Sequence, residues 1–220
     1  TVHLRGRIDR VDLADLGGDL LGLVVDYKTT ARRTLDLTEV LHGLSLQLVA
    51  YLLLLAQQGE SLAGRPIRPI AALYLPLLEP FQTVPHPADE KKSNYRYRGL
   101  VVLDGLAAID ETAGPGRASQ ILSAKITNEG RPYKQSDLAT SEQAAAILRH
   151  VGQRMGELAD DLIDGRIDVS PYRLNRRMPC AFCRFRAVCR YEIETQPLRP
   201  LEAFKKDEVL AQLQGGHGDG

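Results

Sequence analysis

The chain has 220 residues, enough for one well-buried domain with at most a small appended element. Its 44% hydrophobic and 25% charged residues are close to the averages of soluble globular proteins, which excludes a disordered chain. Basic and acidic residues are equal in number, at 28 each, so any nucleic-acid site must be a local basic patch.

Neither a membrane segment nor a secretory leader is predicted. The apolar run from Leu52 to Ala56 is far shorter than the roughly 20 residues of a membrane-spanning helix. No charged stretch followed by an apolar one opens the chain, so we expect a cytoplasmic protein that does not bind membranes. The chain starts at Thr1 and becomes strand-like at Leu4, so we expect it to be part of a longer protein.

The first predicted element is a β-hairpin. Residues 4–13 and 20–28 are strand-like, and Asp15-Leu-Gly-Gly-Asp19 supplies residues that tolerate a tight turn. The second strand is mostly apolar and ends in charge at Asp26 and Lys28.

A long helix is predicted next, from Glu39 to Gln58, with Thr38 as its N-cap and Gly59 as its end. Its leucines lie nearly all round, so we expect it to be buried rather than amphipathic. A further strand is predicted from Pro66 to Leu77.

The second half of the chain alternates polar and apolar segments. We expect a polar loop or extended hairpin over residues 79–98, a short helix over 100–109 and a strand over 121–126. Thr140 and Gln143 form a predicted capping box for a helix that ends at Gly165. We expect the apolar stripe of that helix to be core; its members are Leu148, Val151, Met155, Leu158 and Leu162.

Charged side chains converge at the end of the predicted hairpin. Side chains two apart on a strand share a face, so Asp26 and Lys28 project together while Tyr27 points away. Asp9 and Asp12 face opposite ways on the preceding strand, so only one of them can join Asp26. Two or three acidic oxygens suit Mg²⁺ with its waters and substrate phosphates, although a strand end that exposes charge to solvent remains the alternative.

Gln47 and Tyr51 lie four residues apart and so share one helix face. There, an amide and a phenol could approach a metal site or a DNA strand. The alternative is a buried polar pair whose hydrogen bonds are satisfied by the backbone.

The order and spacing of these motifs resembles the RecB family of PD-(D/E)XK nucleases. The matching features are Gly6-Arg-Ile-Asp-Arg-Val-Asp12, a glycine turn, an apolar strand ending Asp-Tyr-Lys-Thr29, and Gln47-Leu-Val-Ala-Tyr51. The AddB-type branch of that family is favoured by the segments Tyr97-Arg-Gly-Leu-Val-Val-Leu-Asp104 and Asp168-Val-Ser-Pro-Tyr172.

The resemblance implies an α/β fold with a restriction-endonuclease-like core, in which helices flank a mixed sheet. It implies that Asp9, Asp26 and the Tyr27 carbonyl bind Mg²⁺, and that Lys28 orients or activates the attacking water. Gln47 and Tyr51 match the last motif of the family. Asp12 matches a family position that is not a ligand, so it is assigned a structural role.

All three cysteines of the chain fall in one short segment, as Cys180, Cys183 and Cys189. Their spacing is too tight for a structural disulfide framework, so a thiolate-bound metal is the better interpretation and buried free thiols the alternative. Zinc would need a fourth ligand, and none of the five histidines is near enough in sequence to complete a local finger. The resemblance implies a [4Fe-4S] cluster, with a fourth cysteine outside this chain.

Basic residues flank both motif regions. Arg32 and Arg33 follow the acidic strand, and Arg173, Arg176 and Arg177 precede the cysteines, so both clusters could follow a DNA path. Such phosphate contacts give affinity without sequence specificity, and solvated surface charge is the alternative.

The resemblance implies three segments: a nuclease core over 1–165, an iron-sulfur segment over 166–200 and a partly disordered tail over 201–220. The implied activity is Mg²⁺-dependent exonucleolytic cleavage of the 5'-ended strand at unwound DNA ends. It would serve double-strand break repair by homologous recombination, together with an AddA-type helicase-nuclease subunit. Alternatives are a CRISPR-associated RecB-like exonuclease and a non-catalytic nuclease-like DNA-binding module.

Overall fold

The computed structural model describes residues 2–29, 34–78, 86, 96–192, 195–196 and 198–215. Most of the predicted polar loop at 79–98 lies outside the described residues, as do Arg32 and Arg33. No helix within the described ranges is both long and apolar enough to cross a membrane.

A five-stranded mixed sheet organises the chain, with its strands side by side in sequence order. They are β1 (Arg10–Leu16), β2 (Asp19–Lys28), β3 (Ile67–Pro76), β4 (Arg98–Val102) and β5 (Leu138–Ala139). The pairs β2–β3 and β4–β5 are parallel, and the other two pairs are antiparallel. Because parallel neighbours need crossover connections, helices must cover the sheet, and the predicted α/β class is confirmed.

The predicted hairpin is confirmed, with its turn at Gly17 and Gly18, whose φ angles are 62° and 93°. Its first strand begins later than predicted, at Arg10 rather than Leu4. Just before Arg10, the side chain of Asp9 takes the place of a backbone carbonyl and accepts the hydrogen bond of the Tyr27 N–H on β2.

The crossover from β2 to β3 consists of α1 (Leu37–Leu41) and α2 (Gln47–Ala63) rather than one helix. Asp36 caps α1, since its Oδ1 accepts a hydrogen bond from the Thr38 N–H at 2.8 Å. The predicted N-cap, Thr38, instead donates its hydroxyl to the carbonyl of Phe204 at 3.0 Å. A long-range contact therefore displaces the local capping pattern.

The prediction that the helix stops at Gly59 is also wrong, because α2 continues to Gly64, which has a φ of 72°. Gly59 is buried against β3, and a Cβ there would lie 2.7–2.9 Å from side-chain atoms of Ile67. The glycine thus permits close helix–sheet packing. Contrary to the expectation of a fully buried helix, α2 exposes Leu54 and Leu62.

Helix α4 (Ser141–Ile163) has the predicted capping box. Gln143 N donates to Thr140 Oγ1 at 3.2 Å, and Thr140 N donates to Gln143 Oε1 at 3.0 Å. The predicted end is confirmed as well, with Gly165 at a φ of 69° just beyond the helix.

Only the first part of the α4 stripe lies in the core. Val151 is fully buried, whereas Leu158 and Leu162 are exposed, contrary to the prediction. With Leu4 and Tyr51 they line an open apolar groove between α4, α2 and the N-terminal segment. The C-terminal half of α4 thus extends beyond the core.

The segment after β3 also differs from prediction. Residues predicted as a helix from 100 start within β4 and become helical at Leu103, where a 3-10 turn (Leu103–Gly105) leads into α3 (Leu106–Ile109). Residues 121–126 form isolated bridges through Leu122 and Ile126 instead of a regular strand. Both side chains are nevertheless buried on the face of the sheet opposite α2.

The C-terminal part adds a two-stranded sheet of β6 (Tyr172–Leu174) and β7 (Arg199–Leu201), the short α5 (Arg186–Cys189) and α6 (Lys206–Gly215). Helix α6 packs into the same core as α2 and α4 through Val209, Leu210 and Leu213. Sequence analysis missed this helix. Residues 216–220 of the expected tail lie outside the described residues.

The packing at Gly59 predicts a stability change opposite in sign to helix propensity. Gly59→Ala should lower the free energy of unfolding in urea by about 1–3 kcal/mol, because the methyl group overpacks against Ile67. Gly156→Ala is the matched control, since Gly156 lies in α4 with open space around it. It should raise stability by about 0.5–1 kcal/mol. Equal stabilisation by both changes would contradict the close contact.

Candidate active site

The carboxyl end of β2 carries a buried carboxylate. Asp26 is only 5% exposed and lies on the face of the sheet that the helices cover, as Val24 does. Its Oδ2 forms an ion pair with the Lys28 ammonium and has no other polar partner among the groups that the structure describes. A buried carboxylate with unfilled lone pairs is costly, and a cation is the natural partner for it.

Lys28 confirms the predicted shared face with Asp26. Its Nζ lies 5.4 Å from the ring centroid of Tyr74, the residue that pairs with Asp26 on β3. The Lys28 side chain is 23% exposed, so the ammonium can be reached from solvent. The site thus presents one buried anion and one accessible cation.

Asp9 reaches the same place from the neighbouring chain segment. Its Oδ2 accepts a hydrogen bond from the Tyr27 N–H at 3.0 Å. Arg10 pairs with Val25, and extending this antiparallel register by one residue sets Asp9 opposite Asp26, on the same face. Since the N–H and C=O of a strand residue point to the same neighbour, the Tyr27 carbonyl also faces Asp9.

Asp12 does not join this group, as predicted. It pairs with Leu23, which packs on the other face of the sheet. Both its carboxylate oxygens accept hydrogen bonds from Arg10 at 2.7 Å. These bonds raise the pKa of the Arg10 guanidinium above its ordinary value.

Gln47 and Tyr51 share one face of α2, as predicted. Gln47 Nε2 donates a hydrogen bond to Tyr51 Oη at 2.9 Å, so the two side chains satisfy each other rather than the backbone. A Cβ on Gly6 would lie 3.1 Å from the Tyr51 ring, so the segment that leads to Asp9 crosses this ring closely. Among the described contacts, none joins the pair directly to Asp26.

The cysteines lie in a segment with little core of its own. Cys180 is half-buried, and Cys183 and Cys189 are exposed. Their neighbours Phe182 and Val188 are 97% and 84% exposed, which is unusual for apolar side chains in a folded segment. Within the described ranges, no three histidine, cysteine or acidic side chains converge as a metal-binding group, so the three thiols are not drawn together.

The predicted basic clusters are placed only in part. Arg173 and Arg176 are exposed on β6 and in the turn after it. Arg177 donates to Glu39 Oε1 at 2.8 Å, which ties the cysteine segment to α1. Arg98, a basic residue at the end of the predicted polar loop, lies across Tyr74 from Asp26, a position that the sequence did not predict.

The sequence matches the PD-(D/E)XK nuclease superfamily over residues 1–190, and the chain belongs to that family. This assignment confirms the predicted fold.

Three relatives resemble nearly the whole chain, and each is described as the B subunit of an ATP-dependent helicase/deoxyribonuclease. The protein of Geobacillus kaustophilus is 32% identical over 226 residues, covering 98% of this chain and 19% of the relative. That of Symbiobacterium thermophilum is 35% identical over 230 residues, covering 100% of this chain and 19% of the relative. That of Bacillus subtilis is 31% identical over 224 residues, covering 97% of this chain and 19% of the relative. The chain therefore spans about a fifth of the length of these relatives.

Proposed function

We propose that this chain is the DNA-cleaving domain of an AddB-type subunit of a helicase-nuclease. It would use Mg²⁺ to hydrolyse phosphodiester bonds exonucleolytically on the 5'-ended strand at double-strand breaks, for repair by homologous recombination. An AddA-type subunit would be its partner and cytoplasmic DNA ends its substrate. The observation that carries the proposal is the buried carboxylate of Asp26, whose Oδ2 has Lys28 as its one polar partner among the described groups and which lies opposite Asp9 in the strand register.

The donor atoms at this site fit Mg²⁺. Asp26 and Asp9 offer carboxylate oxygens, and the Tyr27 carbonyl faces the same side as Asp9. Hard oxygen donors, few enough to leave room for water and substrate phosphate, suit Mg²⁺. When bound, such an ion activates water as a nucleophile and offsets charge on the phosphate during displacement.

Lys28 would change partner during this reaction. In the structure its ammonium pairs with Asp26. If Asp26 binds a metal ion, the Lys28 ammonium would be released to orient the attacking water or to contact the phosphate. Its partial exposure beside the buried Asp26 gives it access to both.

Gln47 and Tyr51 would position the DNA strand instead of binding metal. Their mutual hydrogen bond fixes both side chains on one face of α2. That face adjoins the segment leading to Asp9, so a strand at the metal site would pass close to it.

We further propose that Cys180, Cys183 and Cys189 bind a [4Fe-4S] cluster whose fourth ligand lies outside this chain. Thiolates are the donors that such clusters use. The exposed Phe182 and Val188 support the proposal, because a segment that buries so little apolar surface needs a cross-link to become stable. Closure of the cluster would gather the three thiols, which the structure leaves apart.

The metal site predicts a loss of cleavage on a nearly isosteric change. Asp26→Asn should lower the Mg²⁺-dependent cleavage rate by at least about 100-fold, because it removes a charged ligand, while DNA binding is largely kept. The measurement is the rate at which the complete protein cleaves end-labelled linear DNA. For this assay it is assembled with a partner subunit whose own nuclease is inactivated.

Asp12→Asn is the matched control, since Asp12 lies on the same hairpin but pairs with Arg10 on the opposite face. It should keep the wild-type rate within a few-fold. Unchanged cleavage by Asp26→Asn would refute the site, and an equal loss in both variants would mean that the hairpin itself had been damaged.

The cysteine proposal predicts a stability effect more than a catalytic one. Cys183→Ser in anaerobically purified complete protein should lose iron and sulfide and unfold at a lower temperature, because the cross-link is broken. Phe182→Ser, at the exposed position next to it, should retain the iron. If the unaltered protein contained stoichiometric zinc and no iron, the cysteines would form a zinc site and the cluster proposal would be wrong.

A further inference from the structure

Arg98 lies in the same transverse row of the sheet as Asp26. The strand register pairs Asp26 with Tyr74, and Tyr74 with Arg98. Residues paired directly across strands point to the same face, so Arg98 belongs to the face that carries Asp26 and Lys28. Neighbouring strands are about 4.8 Å apart, which sets the backbones of Arg98 and Asp26 about 10 Å apart.

A single carboxylate orients the Arg98 guanidinium. Arg98 Nε donates to Asp137 Oδ2 at 3.0 Å, and the Gly99 N–H donates to the same oxygen at 2.9 Å. The Asp137 side chain is 14% exposed, whereas that of Arg98 is 38% exposed. The bond uses Nε alone, and no described group accepts a hydrogen bond from the terminal nitrogens. These nitrogens form the planar fork that matches a phosphate.

The surroundings of Asp137 are built to keep it in place. Lys206 Nζ, from α6, donates to the carbonyls of Ser136 and Leu138 at 2.5 Å each, on either side of Asp137 in sequence. Burial lowers the pKa of this lysine. Gly99 has a φ of 154°, and a Cβ there would lie 2.1 Å from the carbonyl oxygen of Ala72, so only glycine allows this approach.

Two basic residues line a pocket near the start of β4. Arg96 lines it, and the Nε of Arg96 is buried without a hydrogen-bond partner among the described residues. Lys125 Nζ lies 4.4 Å from the ring centroid of Tyr133 on the opposite wall. The pocket also includes Ser136, next to Asp137 in the chain. Arg96 and Lys125 thus add positive charge near the start of β4.

We infer that Arg98 binds a backbone phosphate of the substrate strand close to the scissile phosphodiester, and that Asp137 is its positioning residue. This inference rests on the proposed nuclease function, since it assumes that the DNA strand is cleaved at Asp26. The contact is to phosphate and carries no sequence specificity. The separation of about 10 Å between the backbones of Arg98 and Asp26 places this contact close to the cut.

The test separates substrate binding from the structural role of the Arg98–Asp137 pair. Arg98→Gln alone leaves the Asp137 carboxylate poorly paired and can weaken folding. Arg98→Gln combined with Asp137→Asn removes both charges, so an amide replaces the buried anion. If Arg98 were merely structural, the double variant would regain wild-type kinetics together with wild-type stability.

We expect the double variant to regain stability but not substrate affinity. With a short single-stranded DNA and no ATP, cleavage by the complete protein should show a KM raised about tenfold or more, with kcat nearly unchanged. The partner subunit's nuclease is inactivated for this measurement. The slope of log(kcat/KM) against log salt should shrink by about 0.7, the loss of one phosphate contact. Wild-type KM and salt slope in the refolded double variant would overturn the inference.

A neutral methylphosphonate, scanned along the strand, locates the contact. At one position near the cut, it should raise the KM of the wild type but have no further effect on the Arg98 variants. Additive effects at every position would also overturn the inference. Arg68→Gln is the matched control, because Arg68 is likewise paired with an aspartate, Asp19, but at the other end of the sheet. It should leave KM unchanged.

The parallel wild-type and Asp26→Asn reactions distinguish the two ways of failing. If the wild type cleaves and Asp26→Asn does not, while the Arg98 variants behave as wild type, only the inference about Arg98 fails. If Asp26→Asn cleaves like the wild type, the proposed function fails and the inference fails with it.

Discussion

Asp26 is buried at the end of a central strand, where its Oδ2 contacts the Lys28 ammonium and has no other polar partner in the described part of the chain. Removing a carboxylate from water in this way is unfavourable unless something compensates for it. The rest of the site is arranged around that carboxylate: Asp9 approaches from β1, and Tyr74 lies under the ammonium from β3. The chain that carries this group belongs to the PD-(D/E)XK nuclease superfamily.

Side chains on both faces of the sheet pack into the core and hold this strand in place. On one face α2, α4 and α6 bury Val24, and on the other α3 and the segment after it bury Val25. Helix α6 has a second consequence, because its Lys206 fixes the chain on either side of Asp137 and so orients Arg98. The C-terminal helix thereby connects the core to the surface on which we propose that DNA lies.

Much of the site could be predicted from sequence because strand periodicity is strict. Residues two apart share a face, and this rule alone places Asp26 with Lys28 and separates Asp9 from Asp12. The errors arose where a distant contact overrode a local pattern. The Thr38 hydroxyl donates a hydrogen bond to the Phe204 carbonyl and does not cap the helix. Gly59 does not end the helix but permits close packing against Ile67. The position of Arg98 beside Asp26 was not predicted, because it depends on the order of strands, which local sequence does not encode.

Binding of a divalent cation by Asp26 together with Asp9 is the central claim. It is tested most directly by anomalous diffraction from crystals of the protein grown with Mn²⁺ in place of Mg²⁺. We predict an anomalous peak about 2.0–2.2 Å from Asp26 Oδ2, shared with Asp9 and the Tyr27 carbonyl, with the Lys28 ammonium moved away from Asp26. No peak at Asp26, with its Oδ2 still paired to Lys28 at saturating Mn²⁺, would contradict it.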